Sequence, residues 1–296
     1  MLRRSKIIFQ LELICLALLI ESITPAIAQG QSTFYEIETK YIFGFTEGSG
    51  IGLEGEQEFS PDSVISVGKR NGSYITSQTK LKYEFTPNQF IQFELGSIVS
   101  SHHIRNVTDL DDVNRISFGG GFIEFRYLLL DRPASPLAVT IAIEPEWHRT
   151  DETSGQYIQN FGLETRINAD LEIVPKRLFF GFNLLYEPET SRDATDVWTN
   201  ESTVGGSAAL SYRIFPSVVL GAEVWYLRHY ETIGLSQFTG DAVYVGPNIY
   251  VQLNNKMFVT AAWNAQISGR EVGEPGKFDL TDFSRQRIKL KFAFEF

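Results

Sequence analysis

The sequence has 296 residues, with 26 Lys and Arg against 36 Asp and Glu, a formal net charge of −10, and 43% hydrophobic and 13% aromatic residues. An acidic balance of this size argues against a protein that tracks nucleic-acid phosphates, and four histidines and one cysteine leave little for metal or thiol chemistry. Past the amino-terminal segment no stretch approaches eighteen uncharged apolar residues, which excludes a bundle of spanning helices but not spanning strands, whose alternation keeps mean hydropathy low.

Residues 1–28 have the layout of an export signal. Arg3, Arg4 and Lys6 precede the apolar run Ile7 to Ile20, and Pro25-Ala26-Ile27-Ala28 offers small residues at both positions a signal peptidase reads. Cleavage is expected before Gln29, leaving 29–296 as the mature chain. Gln10 and Glu12 interrupt the short apolar run and argue against a retained anchor, and Glu12 also argues against a lipoprotein. Cys15 would leave with the signal, so no disulfide and no Cys-based metal site is expected. Losing Arg3, Arg4, Lys6, Glu12 and Glu21 takes the net charge from −10 to −11.

The remainder divides into strand-length segments at 34–45, 57–70, 73–86, 90–101, 115–130, 137–149, 157–174, 178–189, 201–215, 218–230, 242–253, 257–268 and 284–296. Tight connections (Pro87-Asn88-Gln89, Arg132 to Pro136, Pro175-Lys176-Arg177, Pro216-Ser217, Asn254-Asn255-Lys256) alternate with longer polar ones near 102–114, 149–156, 190–200, 231–241 and 269–283. Short turns on one side and longer loops on the other describe an antiparallel up-and-down barrel. An even strand number requires that one early segment stay outside the wall. Residues 34–45 alternate well, and 57–70 contain Pro61 and alternate poorly, but hairpin pitch places a short-side turn near Gly48 to Glu56. Either choice gives an all-β, transmembrane, antiparallel barrel of 12 strands, with 14 as the alternative. In the first case 29–56 hold an extra strand, in the second a plug.

Alternation also assigns the faces. Residues 137–148 set Leu137, Val139, Ile141, Ile143 and Trp147 against Thr140, Glu144, Glu146 and His148, and 157–173 set Phe161, Leu163, Ile167 and Leu171 against Glu164, Arg166 and Asp170. Lys or Arg at a bilayer midplane costs about 2–4 kcal/mol, so the charged face is the inward one. Inward parity collects the candidate pore lining: Lys80, Lys82, Glu94, Glu124, Arg126, Glu144, Glu146, His148, Glu164, Arg166, Asp170, Arg213, Glu223, Lys289 and Lys291, with Glu84, Glu172, Glu187, Arg287 and Glu295. Such a set is either an ion-paired filling or the wall of a water-filled passage. Phe179, Leu185, Val219, Trp225, Leu227 and Phe258 form an apolar patch within it, suited to an apolar or aromatic solute or to packing against an inserted amino-terminal stretch. Outward aromatics fall in two belts: Tyr83, Phe85, Tyr127, Tyr212, Phe294 and Phe296 near the short turns, Trp147, Tyr157, Tyr186 and Tyr226 near the long loops.

From Ile288 every second residue is apolar (Ile288, Leu290, Phe292, Phe294, Phe296). This amphipathic strand ending on an aromatic residue resembles the closing strand of Gram-negative outer-membrane β-barrels. The resemblance implies an outer-membrane location and recognition of that strand by the assembly machinery. It also implies lipopolysaccharide as a neighbour, whose phosphates would meet Arg149 and Arg228 on outward parity at the long-loop rim. In size and hairpin layout, and in Gly44-Phe45-Thr46-Glu47-Gly48 and Gly68-Lys69-Arg70-Asn71-Gly72, the chain is similar to predicted channel proteins grouped around phenol-degradation gene clusters. That similarity implies diffusion or facilitated transport of small solutes, apolar or aromatic ones among them, without a cofactor.

Two rivals stand beside the channel. A lipid-modifying hydrolase would need a set such as His148, Ser154 and Glu146, but His148 shares the inward face of Glu144 and Glu146, away from a lipid substrate. His229 is inward with Glu223, while His102 and His103 are expected in a loop. A closed structural or adhesive barrel would follow from a filled lumen. Asp109, Asp111 and Asp112 lack the spacing of a calcium loop, and Gly119-Gly120-Gly121 lie within a strand, which suggests a bend or close backbone approach, not a phosphate cradle.

Overall fold

A computed structural model describes residues 39–132, 135–193 and 195–296. The expected signal, Cys15, the Gln29 cleavage site and residues 34–38 of the first candidate strand lie outside them. Twelve strands follow in chain order: β1 (Gln57–Val67), β2 (Ser73–Asn88), β3 (Ile91–Arg105), β4 (Val113–Leu130), β5 (Leu137–Thr150), β6 (Tyr157–Val174), β7 (Leu178–Arg192), β8 (Trp198–Phe215), β9 (Val218–Tyr230), β10 (Phe238–Asn254), β11 (Met257–Glu271) and β12 (Gln286–Glu295). Each pairs antiparallel with its neighbours in sequence, and β1 pairs with β12 (Glu58 opposite Glu295, Val67 opposite Gln286), so the sheet is a closed 12-stranded barrel. Closure matters because hydrocarbon offers backbone groups no partners, and a closed ladder leaves no edge.

The wall is inverted relative to a soluble core. Leu95, Ile123, Phe161, Leu210 and Leu290 are exposed on the outside, whereas Glu94, Arg126, Asn168 and Lys291 are fully buried inside. On β5 the alternation is unbroken, with Ala138, Thr140, Ala142, Glu144, Glu146, His148 and Thr150 buried between outward neighbours. The expected aromatic belts are outward, and rings touch across strands: Phe294–Phe296 at 6.0 Å, Tyr83–Phe296 at 6.4 Å and Phe118–Trp147 at 6.1 Å between centroids.

The first wall strand is 57–67. Pro61 stands opposite Leu81 of β2, but the register with β12 passes from Phe59–Phe294 to Asp62–Lys291 with Ser60 and Pro61 unmatched. A residue without N–H interrupts the ladder on that side, which is why this stretch reads poorly as a strand. Several strands run further toward the long loops than their hydrophobic pattern. β7 and β8 stay paired as far as Arg192–Trp198, and β10 and β11 as far as Gly240–Glu271. The loops there shrink to 193–197 and 231–237, while the β11–β12 loop spans 272–285. Gly119 is skipped where Ile98 pairs Gly120 and Val99 pairs Phe118, so the glycine run makes a bulge.

Candidate functional site

Residues 39–52 occupy the lumen at the short-turn end, and the exposed residues 53–55 lead from them to β1. Thr39–Tyr41 form one turn of 3-10 helix, and Gly48 N donates to Lys40 O at 3.1 Å, closing a loop whose tip is Gly44. Gly44 has φ +85°, and a Cβ there would lie 2.7 Å from Glu223 Oε1 and 2.9 Å from the Cβ atoms of Ala262 and Asn248. Only glycine both reverses the chain and lets it press against the wall.

The wall grips this segment from around its circumference. Glu223 Oε1 accepts from Phe45 N (3.0 Å) and Oε2 from Thr46 N (2.7 Å). Asn183 Oδ1 accepts from Glu47 N (2.8 Å) while its Nδ2 donates to Glu47 O (2.7 Å). Asp170 Oδ2 accepts from Thr39 Oγ1, Ser49 N and Ser49 Oγ at 2.6–2.8 Å. Ser211, Thr260 and Gln92 donate to the carbonyls of Ile42, Tyr41 and Ile51. A segment outside the strand ladder thereby has much of its buried backbone paired with side chains of the barrel.

Charge is arranged to match. The wall at this level carries Glu58, Asp62, Glu84, Glu94 and Glu124 against Lys82, Arg126, Lys289 and Lys291. Lys291 bridges Glu58 (2.8 Å) and Glu84 (3.1 Å), and Lys82 meets Glu94 (3.2 Å). The inserted segment contributes a further cation: Lys40 Nζ donates to Glu84 (2.8 Å), Gln92 (2.6 Å) and Glu94. It also contributes Glu47, which takes Arg126 and Arg166 at 2.6 Å each. Isolated buried charges cost several kcal/mol, and insertion pairs one cation and one carboxylate of the segment with wall groups of opposite sign, leaving the net charge of the network unchanged.

The apolar patch is covered by the same segment. Tyr41, Ile42 and Phe43 pack with Phe179, Val219, Tyr250 and Phe258, and Phe45 packs with Trp225 and Leu227, with Leu185 alongside. Tyr41 stacks on Phe258 at 5.0 Å, and Lys291 Nζ lies 3.2 Å from the Tyr41 ring centre. The alternation of Tyr41, Phe43 and Phe45 that suggested a lipid-facing strand meets protein instead.

Toward the long loops the lining opens on one side. Lys80 retains 25% side-chain exposure, Glu164 15% and Arg166 13%, whereas Glu94 and Arg126 retain none. Lys80 pairs with Glu144 and Glu146, and Arg166 with Glu164. These accessible charges end on Arg166–Glu47, the top of the inserted segment. Arg213 sits apart at the short-turn mouth, where its Nε donates to Pro216 O at 2.9 Å. Over the long-loop mouth, Lys69 Nζ donates to Thr281 O (2.7 Å) and Phe283 O (3.2 Å), tying the 272–285 loop to the β1–β2 turn. Asp279 of that loop is buried, with Oδ1 accepting from Thr281 N and Asp282 N.

The hydrolase set is not assembled. His148 Nε2 meets Glu146 Oε2 at 2.6 Å, while Ser154 Oγ donates to Asp151 Oδ1 at 2.6 Å, and no hydrogen bond joins the serine to the histidine among the described residues. His102 and His103 are in β3, not in a loop, and His102 meets Glu152 O at 3.1 Å. Asp112 accepts from Asn106 N and Asp111 from Gln156 Nε2, so both carboxylates hold loop structure. The residues that single-face reasoning missed are the luminal ones of the inserted segment, Thr39, Lys40 and Glu47. The available signal was the spacing of Gly44, Gly48, Gly50, Gly52 and Gly55, too dense for a strand.

No curated protein matches the sequence. Among solved structures, the COG4313 outer membrane channel from Pseudomonas putida F1 aligns with a TM-score of 0.55 at 9% identity, over 90% of this chain and all of that one, and shares the fold. The NanC porin aligns at 0.47 with 10% identity, over 80% of this chain and 98% of that one. The KdgM porin aligns at 0.44 with 10% identity, over 81% and 99%. The match that assigns the sequence covers residues 35–296, the whole described barrel and its inserted segment: the chain belongs to the family described as a family of unknown function, DUF6662.

Proposed function

We propose that this protein is an outer-membrane channel for small solutes, held closed at its short-turn end by a plug formed from residues 39–56. The observation that carries the reading is the graded lining: accessible charges at Lys80, Glu164 and Arg166 lead inward and stop on Glu47 of the inserted segment. An apolar, aromatic-rich belt around a charged interior supports placement in a bilayer, with the long loops outward and the short turns in the periplasm. The exposed aromatics at the carboxy-terminal end, Phe294 of β12 and Phe296 just past it, are the features the assembly machinery would read. Withdrawal of the plug would uncover Phe179, Val219, Trp225, Leu227 and Phe258, a surface suited to apolar or aromatic solutes such as the phenol-cluster resemblance implies.

The test is single-channel conductance of residues 29–296 in a planar bilayer, compared with a variant lacking 29–51. The intact chain is expected to conduct weakly and the shortened one at least several-fold more. A closed structural barrel is the second reading, favoured by the complete burial of Glu94, Arg126 and Lys291. A shortened variant that still migrates as a heat-modifiable barrel yet stays silent would decide for it.

A further inference from the structure

A cavity of about 640 Å³ opens on the outside of the barrel near the long-loop rim, where β5, β6 and β7 meet, lined by Trp147, Arg149, Tyr157, Gln159 and Arg192 with Asp193 and Asp196. β5 determines which way its cation points. Trp147 and Arg149 are exposed and outward, and His148 between them is buried in the lumen. Arg149 thus stands on the lipid-facing parity, one outward step beyond a Trp of the rim belt. There a cation costs far less than at the midplane, about 0–1 kcal/mol, and meets headgroups.

The cavity lining carries two arginines and two aspartates, and none of the acids is paired with Arg149. Asp196 is taken by Arg192, and Asp193 Oδ1 accepts from both Thr195 N and Thr195 Oγ1 at 2.8 and 2.6 Å. The Arg149 guanidinium has no hydrogen bond or ion pair among the described residues. Its guanidinium lies 5.7 Å from the ring centre of Tyr157, whose ring also carries Arg115 at 4.1 Å. Tyr157, 55% exposed, stands as a wall beside an unpaired guanidinium. A planar guanidinium with free N–H groups matches phosphate oxygens two at a time, and the indole and phenol flanking it suit the sugar and acyl body of a glycolipid.

From this geometry we infer that the cavity seats a phosphate of outer-leaflet lipopolysaccharide, with Arg149 as its anion contact and Trp147 and Tyr157 against the glycolipid body. The inference rests on the outer-membrane placement proposed above. Mature protein refolded in detergent is titrated with lipopolysaccharide, with the same lipopolysaccharide after phosphatase treatment, with phosphatidylglycerol and with inorganic phosphate. Wild type is expected to retain the phosphorylated glycolipid best, and Arg149→Gln to bind it about tenfold more weakly, as loss of a charge-assisted contact implies. Arg149→Lys is expected to recover part of the loss, and unchanged heat-modifiable migration of each variant separates it from misfolding. Equal binding by Arg149→Gln, equal binding of the dephosphorylated form, or equally tight binding of phosphatidylglycerol or free phosphate overturns the site. Membrane fractionation separates the two levels: recovery away from the outer membrane removes the placement itself, whereas recovery there with an indifferent Arg149→Gln removes only the site.

Discussion

Lys40 is the residue on which the proposed closed state turns. Its ammonium sits among Glu84, Glu94 and Gln92 with no exposure, and the wall around it has fewer cations than carboxylates. Replacing one partner of a buried ionic network leaves the others uncompensated at a cost of about 3–5 kcal/mol. Lys40→Met keeps the length of the side chain and removes the charge, so it is expected to release the inserted segment while the hydrogen-bonded ring of twelve strands persists. Amide exchange at Phe45 and Thr46, which donate to Glu223, measures this directly. Protection unchanged from wild type, with the barrel still heat-modifiable, would show that Lys40 does not hold the segment. The sequence made the wall charges legible, because Glu84, Glu94, Arg126 and Lys291 fall on one parity of regular strands. It hid Lys40, since parity within 34–45 sorts residues by polarity without saying whether lipid or protein meets each side.

At the scale of elements, legibility followed regularity. The β5 and β6 faces could be read residue by residue, whereas β1 was obscured by Pro61 and the loop ends by polar extensions of β7, β8, β10 and β11 that pair beyond the apolar belt. Backbone pairing above a bilayer needs no hydrophobic alternation, so pattern alone ends those strands early. The 272–285 loop is a further element without periodicity, and its docking has a pH signature. Burial, and after it the nearby Asp282, pushes the Asp279 carboxyl up to about 7 from an ordinary 3.8. The docked loop therefore binds a proton that the released loop gives up between about pH 4 and 7, so docking weakens as pH rises through that window. Lys69, pushed down to about 8 by burial, keeps its charge there and does not blur the effect. Proteolytic nicking within 272–285 is expected to be faster at pH 7 than at pH 5, and Asp279→Asn to flatten the difference. A rate ratio that Asp279→Asn leaves intact would assign the titration to another group.

For the whole molecule the issue is what a charged interior does when most of it is sealed. Buried pairs such as Lys40–Glu94 and Arg126–Glu47 have their fields confined by protein, so they bear on stability and meet no passing ion. Glu164 differs by its 15% exposure beside Arg166, on the side of the lumen where Lys80 is also open. Lining charges that reach water set ion preference in a pore. The two classes therefore separate by measurement. With residues 29–51 removed, Glu164→Gln is expected to shift the reversal potential in a salt gradient toward anions and to leave the thermal midpoint of the barrel nearly unchanged. Glu94→Gln strips a partner from Lys82, and from Lys40 where the plug is present, and is expected to lower the midpoint in the intact chain. If Glu164→Gln leaves the reversal potential where it was while conductance remains high, ions pass elsewhere, along the uncovered Phe179–Phe258 surface. The conduction path would then be the one built for apolar cargo, not the charged side that the exposures favour.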